Sequence, residues 1–198
     1  PLFKSLIKAA AEAGYDTFED SNGFKQDGFG TFDVTIDNGK RQGVSRAYLN
    51  EINGQKNLSI EHNTEVSKII FKEKKAIGVE VKKNNNSEIY YCNKEVILSS
   101  GSINSPKILQ LSGIGDEKLL NQNGIDIINH LPGVGKNLQD HLEIYIQHKS
   151  KIKDTLYNLS TNYLTQAIEG IKWFLLKKGM LTYSHLEVGG FVKTSEKY

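Results

Sequence analysis

Apolar residues recur at helical spacing in the opening run LFKSLIKAAAEAGY, where Leu2, Leu6, Ala9, Ala10 and Ala13 share a face. Gly14 stops that helix. The next run, NGFKQDGFGTFDVTIDNGKRQGV, is rich in glycine and aromatics, which predicts an ordered loop with a short strand around Phe32 to Ile36. SRAYLNEI predicts a second, short helix. The period then drops to two. NLSIEH, EVSKIIFKEKKAIGVEVKK and SEIYYCNKEVILSS alternate or run apolar, with turns at Glu73–Lys75 and Asn84–Ser87. That pattern predicts a β-meander feeding a buried strand.

SSGSINSPKILQLSGIG follows as a strand-turn-helix unit. Gly101 turns the chain, Ser105 and Pro106 read as an N-cap and first-turn proline, and Gly113 ends the helix. Such a helix start can face an anion, although the GxGxxG spacing of a dinucleotide fingerprint is missing. Pattern alone explains the unit as an ordinary crossover. DEKLLNQNGI reads as helical, LPGVGKNLQDH as a loop and LEIYIQHKS as an alternating strand. Leu164, Ala167, Ile168, Ile171 and Phe174 then define a long amphipathic helix ending at Gly179. LTYSHLEVGGFVK reads as a strand with a Gly-Gly bend. The expected class is α/β with an additional sheet.

Composition removes several functions. The chain has 198 residues, is 38% hydrophobic and 24% charged, and carries a net charge of +2. Its lysines are scattered, so nothing points to nucleic acid. One cysteine, Cys92, excludes an internal disulfide and a thiolate metal site, and fits a reducing compartment. Its strand setting favours an inert thiol. His62, His130, His148 and His185 lack metal-ligand spacing, and no metal is expected. His141 stands beside Asp140, but no nucleophile completes a triad. No apolar run approaches the ~20 residues of a membrane span. The helix bearing Trp173, with Lys172, Lys177 and Lys178 near its end, reads as a core helix, with a membrane-surface helix as the rival. Richness in Lys, Asn and Ile hints at an AT-rich bacterial genome. Both ends, Pro1 and KTSEKY, read as an internal segment of a longer protein.

GSINSPKILQLSGIG resembles the second signature of the glucose-methanol-choline (GMC) oxidoreductases. NLSIEHNTEVSKIIF, AIGVEV, LPGVGKNLQDH and HLEVGGF stand around it in that family's order and separations. NGFKQDGFGTFD, LPGVGKNLQDHLEIYIQ and LEVGGFVK are most similar to the choline-oxidising members. The resemblance implies part of a Rossmann-like FAD-binding domain with a β-meander, joined to part of a substrate domain built on an antiparallel sheet. Residues 44–139 then fall in the FAD domain, and 1–43 and 140–198 in the substrate or connecting region.

It further implies oxidation of a primary alcohol, choline, to betaine aldehyde by hydride transfer to FAD, in the route to glycine betaine. Electrons would go on to an acceptor such as a membrane quinone, in the bacterial cytoplasm or at the inner membrane. The family's phosphate loop would precede Pro1, and its catalytic histidine and His/Asn partner would follow Tyr198. No catalytic residue is therefore expected within the chain, which alone should be inactive. By the same resemblance, Val66 meets the adenine edge of FAD through its main chain, and Gly101 and Ser102 lie beside the flavin nucleotide. Glu187 aligns with the carboxylate that meets the trimethylammonium group. A quaternary ammonium offers no strong hydrogen bond, so negative charge and aromatic faces must hold it. The rivals are a GMC enzyme for another alcohol, a lyase on the same scaffold, and a non-catalytic binding protein.

Overall fold

The computed structural model describes residues 2–149, 151, 157, 160–182, 186, 188–193 and 195. It contains two compact units: Pro1–Gln55 together with Gln147–Tyr198, and Lys56–Ile146.

The first unit opens with helix α1, Leu2–Glu12, whose Ala10 is buried. Strand β1, Gly28–Thr31, follows at a position slightly ahead of the expected strand. Of the stretch expected as that strand, Phe32 to Ile36, only Ile36 is in one, where a hairpin begins, β2 (Ile36–Asp37) against β3 (Lys40–Arg41). Asn38 and Gly39, with φ of 48° and 65°, make its turn, and Asn-Gly is the dipeptide that tolerates this geometry best. A π-helical turn, Ser45–Leu49, runs into α2, Asn50–Ile52.

Strand β9, Val188–Phe191, pairs antiparallel with β1, Gly28 opposite Phe191 and Thr31 opposite Val188. The Gly-Gly pair lies inside the ladder, with no shift in register. A Cβ on Gly189 would lie 2.5 Å from the Phe32 ring, and one on Gly190 2.7 Å from the Phe29 ring. The glycines are there so that two aromatic rings can lie against the backbone. The long amphipathic helix, α5, spans Tyr163–Leu176 and is capped by Asn162, whose Oδ1 accepts from the Leu164 and Thr165 N–H groups. Trp173 Nε1–H donates to the Gly39 carbonyl at 2.7 Å and so ties the helix to the β2–β3 hairpin. Its residues Leu164, Ile168, Ile171 and Phe174 are exposed, so the face expected to be core is uncovered in this unit. The strand expected at LEIYIQHKS is not seen: among the described residues, 142–149 join no ladder, and Leu142, Ile144 and Ile146 are exposed. Alternation defines a face, but a strand also needs a neighbour to take its backbone hydrogen bonds.

The second unit holds the meander: β4 (Thr64–Lys72), β5 (Lys75–Lys83) and β6 (Asn86–Tyr91), each antiparallel to the next. Asn84 and Asn85, with φ of 49° and 66°, make the β5–β6 turn. NLSIEH precedes this sheet without joining it. KEVILSS likewise enters no ladder among the described residues, and Ile97 is exposed, so the buried strand is absent here.

Helix α3, Gly101–Leu111, packs on β4. It begins earlier than the Ser-Pro pair implied, which places Pro106 inside the helix. Ser105 is not its cap; its Oγ accepts the Ser100 N–H at 3.0 Å. Pro106 has no N–H to give the Ser102 carbonyl one turn back. Gly113 ends the helix as expected, with φ of 83°. Short strands β7 (Ile114–Gly115) and β8 (Asn129–His130) pair in parallel around α4, Glu117–Gln122. Ile69, Val81, Ile108 and Leu120 are the buried apolar residues of this unit.

Asp116 caps α4, its Oδ1 accepting from the Lys118 and Leu119 N–H groups at 3.0 and 3.1 Å. These bonds, that to Leu119 foremost, hold its carboxyl below the usual aspartate range. A lowered folded pKa contributes stability above the unfolded value, and that contribution disappears as pH falls through the folded one. Asp116→Asn keeps a capping oxygen but cannot titrate. Wild type should therefore exceed the variant in denaturation midpoint at neutral pH, with the gap closing below the ordinary aspartate range. A gap of constant size down to low pH would remove Asp116 from the acid limb.

Candidate functional site

Two clefts flank α3 in the second unit. The first, about 530 Å³, lies between β4 and α3, with Val66 and Lys68 on the strand side and Asn104, Lys107 and Ile108 on the helix side. Ser100, just before the helix, also lines it. The second, about 470 Å³, lies between α3 and the PGVGKNLQD loop, where Ser102, Pro106 and Gln110 face Gly135 to Gln139. Gln110 Nε2 donates to the Val134 carbonyl at 3.2 Å and holds that loop to the helix.

Of the residues singled out from sequence, Val66 and Ser102 therefore line different clefts. Gly101 stands between them at the start of α3, with φ of 83° and open space where a Cβ would project. Lys107 borders both clefts. On the strand side Lys68 Nζ lies 3.5 Å from Glu80 Oε2, so the first cleft mixes paired and additional cationic groups. Volume in this range suits a nucleoside-sized group. A strand edge carrying main-chain donors and acceptors, with a serine and an asparagine opposite, fits a heteroaromatic base and its sugar.

Sequence reasoning missed three features of this site. The ladder shifts register between Val66 and Lys68, so a bulge lies directly beside Val66. Ser100 and Asn104, which the sequence did not single out, face Val66 across the first cleft. Ser112 bonds strand to helix, its Oγ accepting the Ile69 N–H at 2.8 Å. Its place in SGIG read only as a helix stop.

A further cleft, about 810 Å³, belongs to the first unit and is lined by Asn22, Phe32, Asp33, Arg41, Leu186 and Phe191 among others. The Phe32 and Phe191 ring centroids are 5.9 Å apart, and Asn22 Nδ2 donates to Asp33 Oδ2 at 3.1 Å. Glu187 lies outside the described residues; its chain neighbours are Leu186, on this cleft, and Val188, which opens β9. Asp140 does not orient the His141 imidazole through any bond seen here; its Oδ1 accepts the His141 main-chain N–H at 2.8 Å. His130 Nδ1 accepts the Glu117 N–H at 3.1 Å. Among the described residues no group of three or more His, Cys, Asp or Glu side chains is placed to hold a metal ion. None of the described helices is long and apolar enough to cross a membrane.

Comparison with known proteins covers both units. A choline dehydrogenase of Staphylococcus epidermidis described as oxygen-dependent is 45% identical over 99% of this chain and 34% of its own length. The mitochondrial choline dehydrogenase of Homo sapiens is 45% identical over 98% of this chain and 32% of its own. The chain thus spans about a third of the length of these relatives. An FAD-dependent oxidoreductase of Chaetomium thermophilum superposes with a TM-score of 0.83 at 34% identity, over 92% of this chain and 32% of that one. A formate oxidase of Aspergillus oryzae gives 0.82 at 25% identity, over 99% and 34%. The family model described as GMC oxidoreductase matches residues 1–143, taking in the α3 signature, the meander and the NLQDH loop, and the chain belongs to that family.

Proposed function

We propose that this chain is part of an FAD-dependent enzyme that oxidises choline to betaine aldehyde. What supports this most is the 45% identity to choline dehydrogenases across nearly the whole chain. The β4–α3 cleft adds to it, being of a size and chemistry that accept the nucleotide half of FAD. In this reading residues 44–139 contribute to the FAD domain, and 1–43 and 140–198 to the substrate side. Val66 presents main-chain groups to the adenine in the β4–α3 cleft, and the rest of the cofactor runs past Gly101 at the start of α3 toward Ser102 in the second cleft. Glu187 supplies the negative charge for the trimethylammonium group. FAD, when bound, accepts the hydride from the alcohol carbon. The side chains that take the hydroxyl proton lie outside these residues in the family pattern.

A second reading, oxidation of another alcohol, draws on the fold neighbours, which include a pyridoxine 4-oxidase and a fungal aryl-alcohol oxidase. The fold therefore does not choose the substrate. For the electrons our reading is a membrane quinone reached from the cytoplasm. Oxygen is the rival, because the Staphylococcus relatives are named oxygen-dependent.

Asn104 tests the cleft. It is exposed on α3 and lines the cleft, so Asn104→Trp fills that space without entering the core. In the full-length flavoprotein this variant should raise the FAD Kd by about tenfold or more, with apoprotein unfolding unchanged. Wild-type affinity in the tryptophan variant would place the cofactor elsewhere.

A further inference from the structure

Ser112 is the buried polar side chain among the described residues, with 6% of its surface exposed. Its Oγ accepts the Ile69 N–H at 2.8 Å and donates to the Ile108 carbonyl at 2.5 Å. Its own N–H donates to the Ile108 and Leu109 carbonyls, each at 3.0 Å. One hydroxyl therefore bridges the last turn of α3 and the middle of β4.

The place of that bridge matters. Ile69 falls between two register shifts in the β4–β5 ladder, at Val66/Lys68 and at Ile70/Phe71, so the regular ladder constrains this part of β4 less than its ends. Ile108 lines the β4–α3 cleft from the helix side, and Val66 lines it from the strand side, three residues before Ile69. The hydroxyl therefore ties together the two elements that carry the cleft walls, through Ile108, which lines the cleft, and Ile69, next to Lys68, which also lines it. A buried N–H left without a partner is costly, and the strand can recover a partner for it only by moving away from the helix.

We infer that Ser112 is a positioning residue for the cofactor: it sets the separation of β4 and α3 and thereby the affinity for the nucleotide half of FAD. This rests on the reading of the β4–α3 cleft as the nucleotide site. The Asn104→Trp variant tests that reading independently, since it blocks the cleft whatever Ser112 does.

The experiment compares wild type, Ser112→Ala and Ser112→Cys in the full-length flavoprotein, measuring Kd for FAD and for ADP, apoprotein unfolding, and amide exchange at Ile69. Ser112→Ala should weaken FAD and ADP by the same factor, about tenfold, as one buried donor is left unpaired. Ser112→Cys, nearly isosteric but a poorer acceptor, should fall between, and Ile69 exchange should quicken in the same order. The KM for choline should stay at the wild-type value. If Ser112→Ala does not fold, Ser112→Cys alone decides. Variants that unfold more readily yet keep FAD and ADP affinities within about twofold of wild type would make Ser112 a purely structural residue and overturn the inference.

Discussion

Gly113→Ala is expected to destabilise the second unit by about 3 kcal/mol or more. Two effects add. Gly113 has φ of 83°, a left-handed conformation that costs a residue with a Cβ about 1–2 kcal/mol. The added Cβ would also lie 2.3 Å from the Asp126 carbonyl oxygen and 3.1 Å from the Ile128 nitrogen, both main-chain atoms with little room to yield. Movement there breaks more than one contact, because the Gly113 carbonyl accepts the Ile128 and Asn129 N–H groups at 2.8 and 3.1 Å. Those bonds lead directly into the β7–β8 pairing, and Ser112 next to Gly113 carries the link to β4. The measurement is the urea midpoint and slope of variant and wild type. A midpoint shift worth less than about 1 kcal/mol would show that the turn relaxes without strain.

Glu187→Gln should lower kcat/KM for choline about ten- to a hundredfold in the full-length enzyme. The amide keeps the shape of the side chain and removes its charge, so on the proposed role of Glu187 the trimethylammonium group loses its counter-charge. Breaking a buried pair in this way costs about 3–5 kcal/mol, and a half-exposed site less, so about 1.4–3 kcal/mol is the expected loss. The neutral isostere 3,3-dimethylbutanol has the same outline without the charge, and its kcat/KM should barely change. Equal losses for the two alcohols would make Glu187 a structural residue and remove it from the substrate site.

Much of the fold was legible because its signals are local. The meander β4–β5–β6 follows from alternation and from asparagines that accept positive φ in a two-residue turn. The helices α1, α3, α4 and α5 follow from apolar spacing and from stops such as Gly113. The α3 signature and the NLQDH loop were sufficient for the family. Each of these depends on residues a few positions apart, whose chemistry acts wherever the segment lies.

Partners remote in the chain decided the rest. The pairing of β1 with β9 shows why two successive glycines stand in a strand: they receive Phe29 and Phe32 from the other end of the chain. LEIYIQHKS and KEVILSS have the alternation or the apolar run of strands, yet neither joins a ladder among the described residues. The candidate site divides in the same way. Val66, Gly101 and Ser102 could be named from the sequence, but only packing put Ser100 and Asn104 opposite Val66 and moved Ser102 to the far side of α3. Ser112 looked like part of a helix stop because its acceptor role depends on Ile69, on a different element. Residue type and spacing determine what a segment can form, whereas a hydrogen bond or a close ring contact also requires a second group at the right distance, and the chain supplies that group only once it has folded.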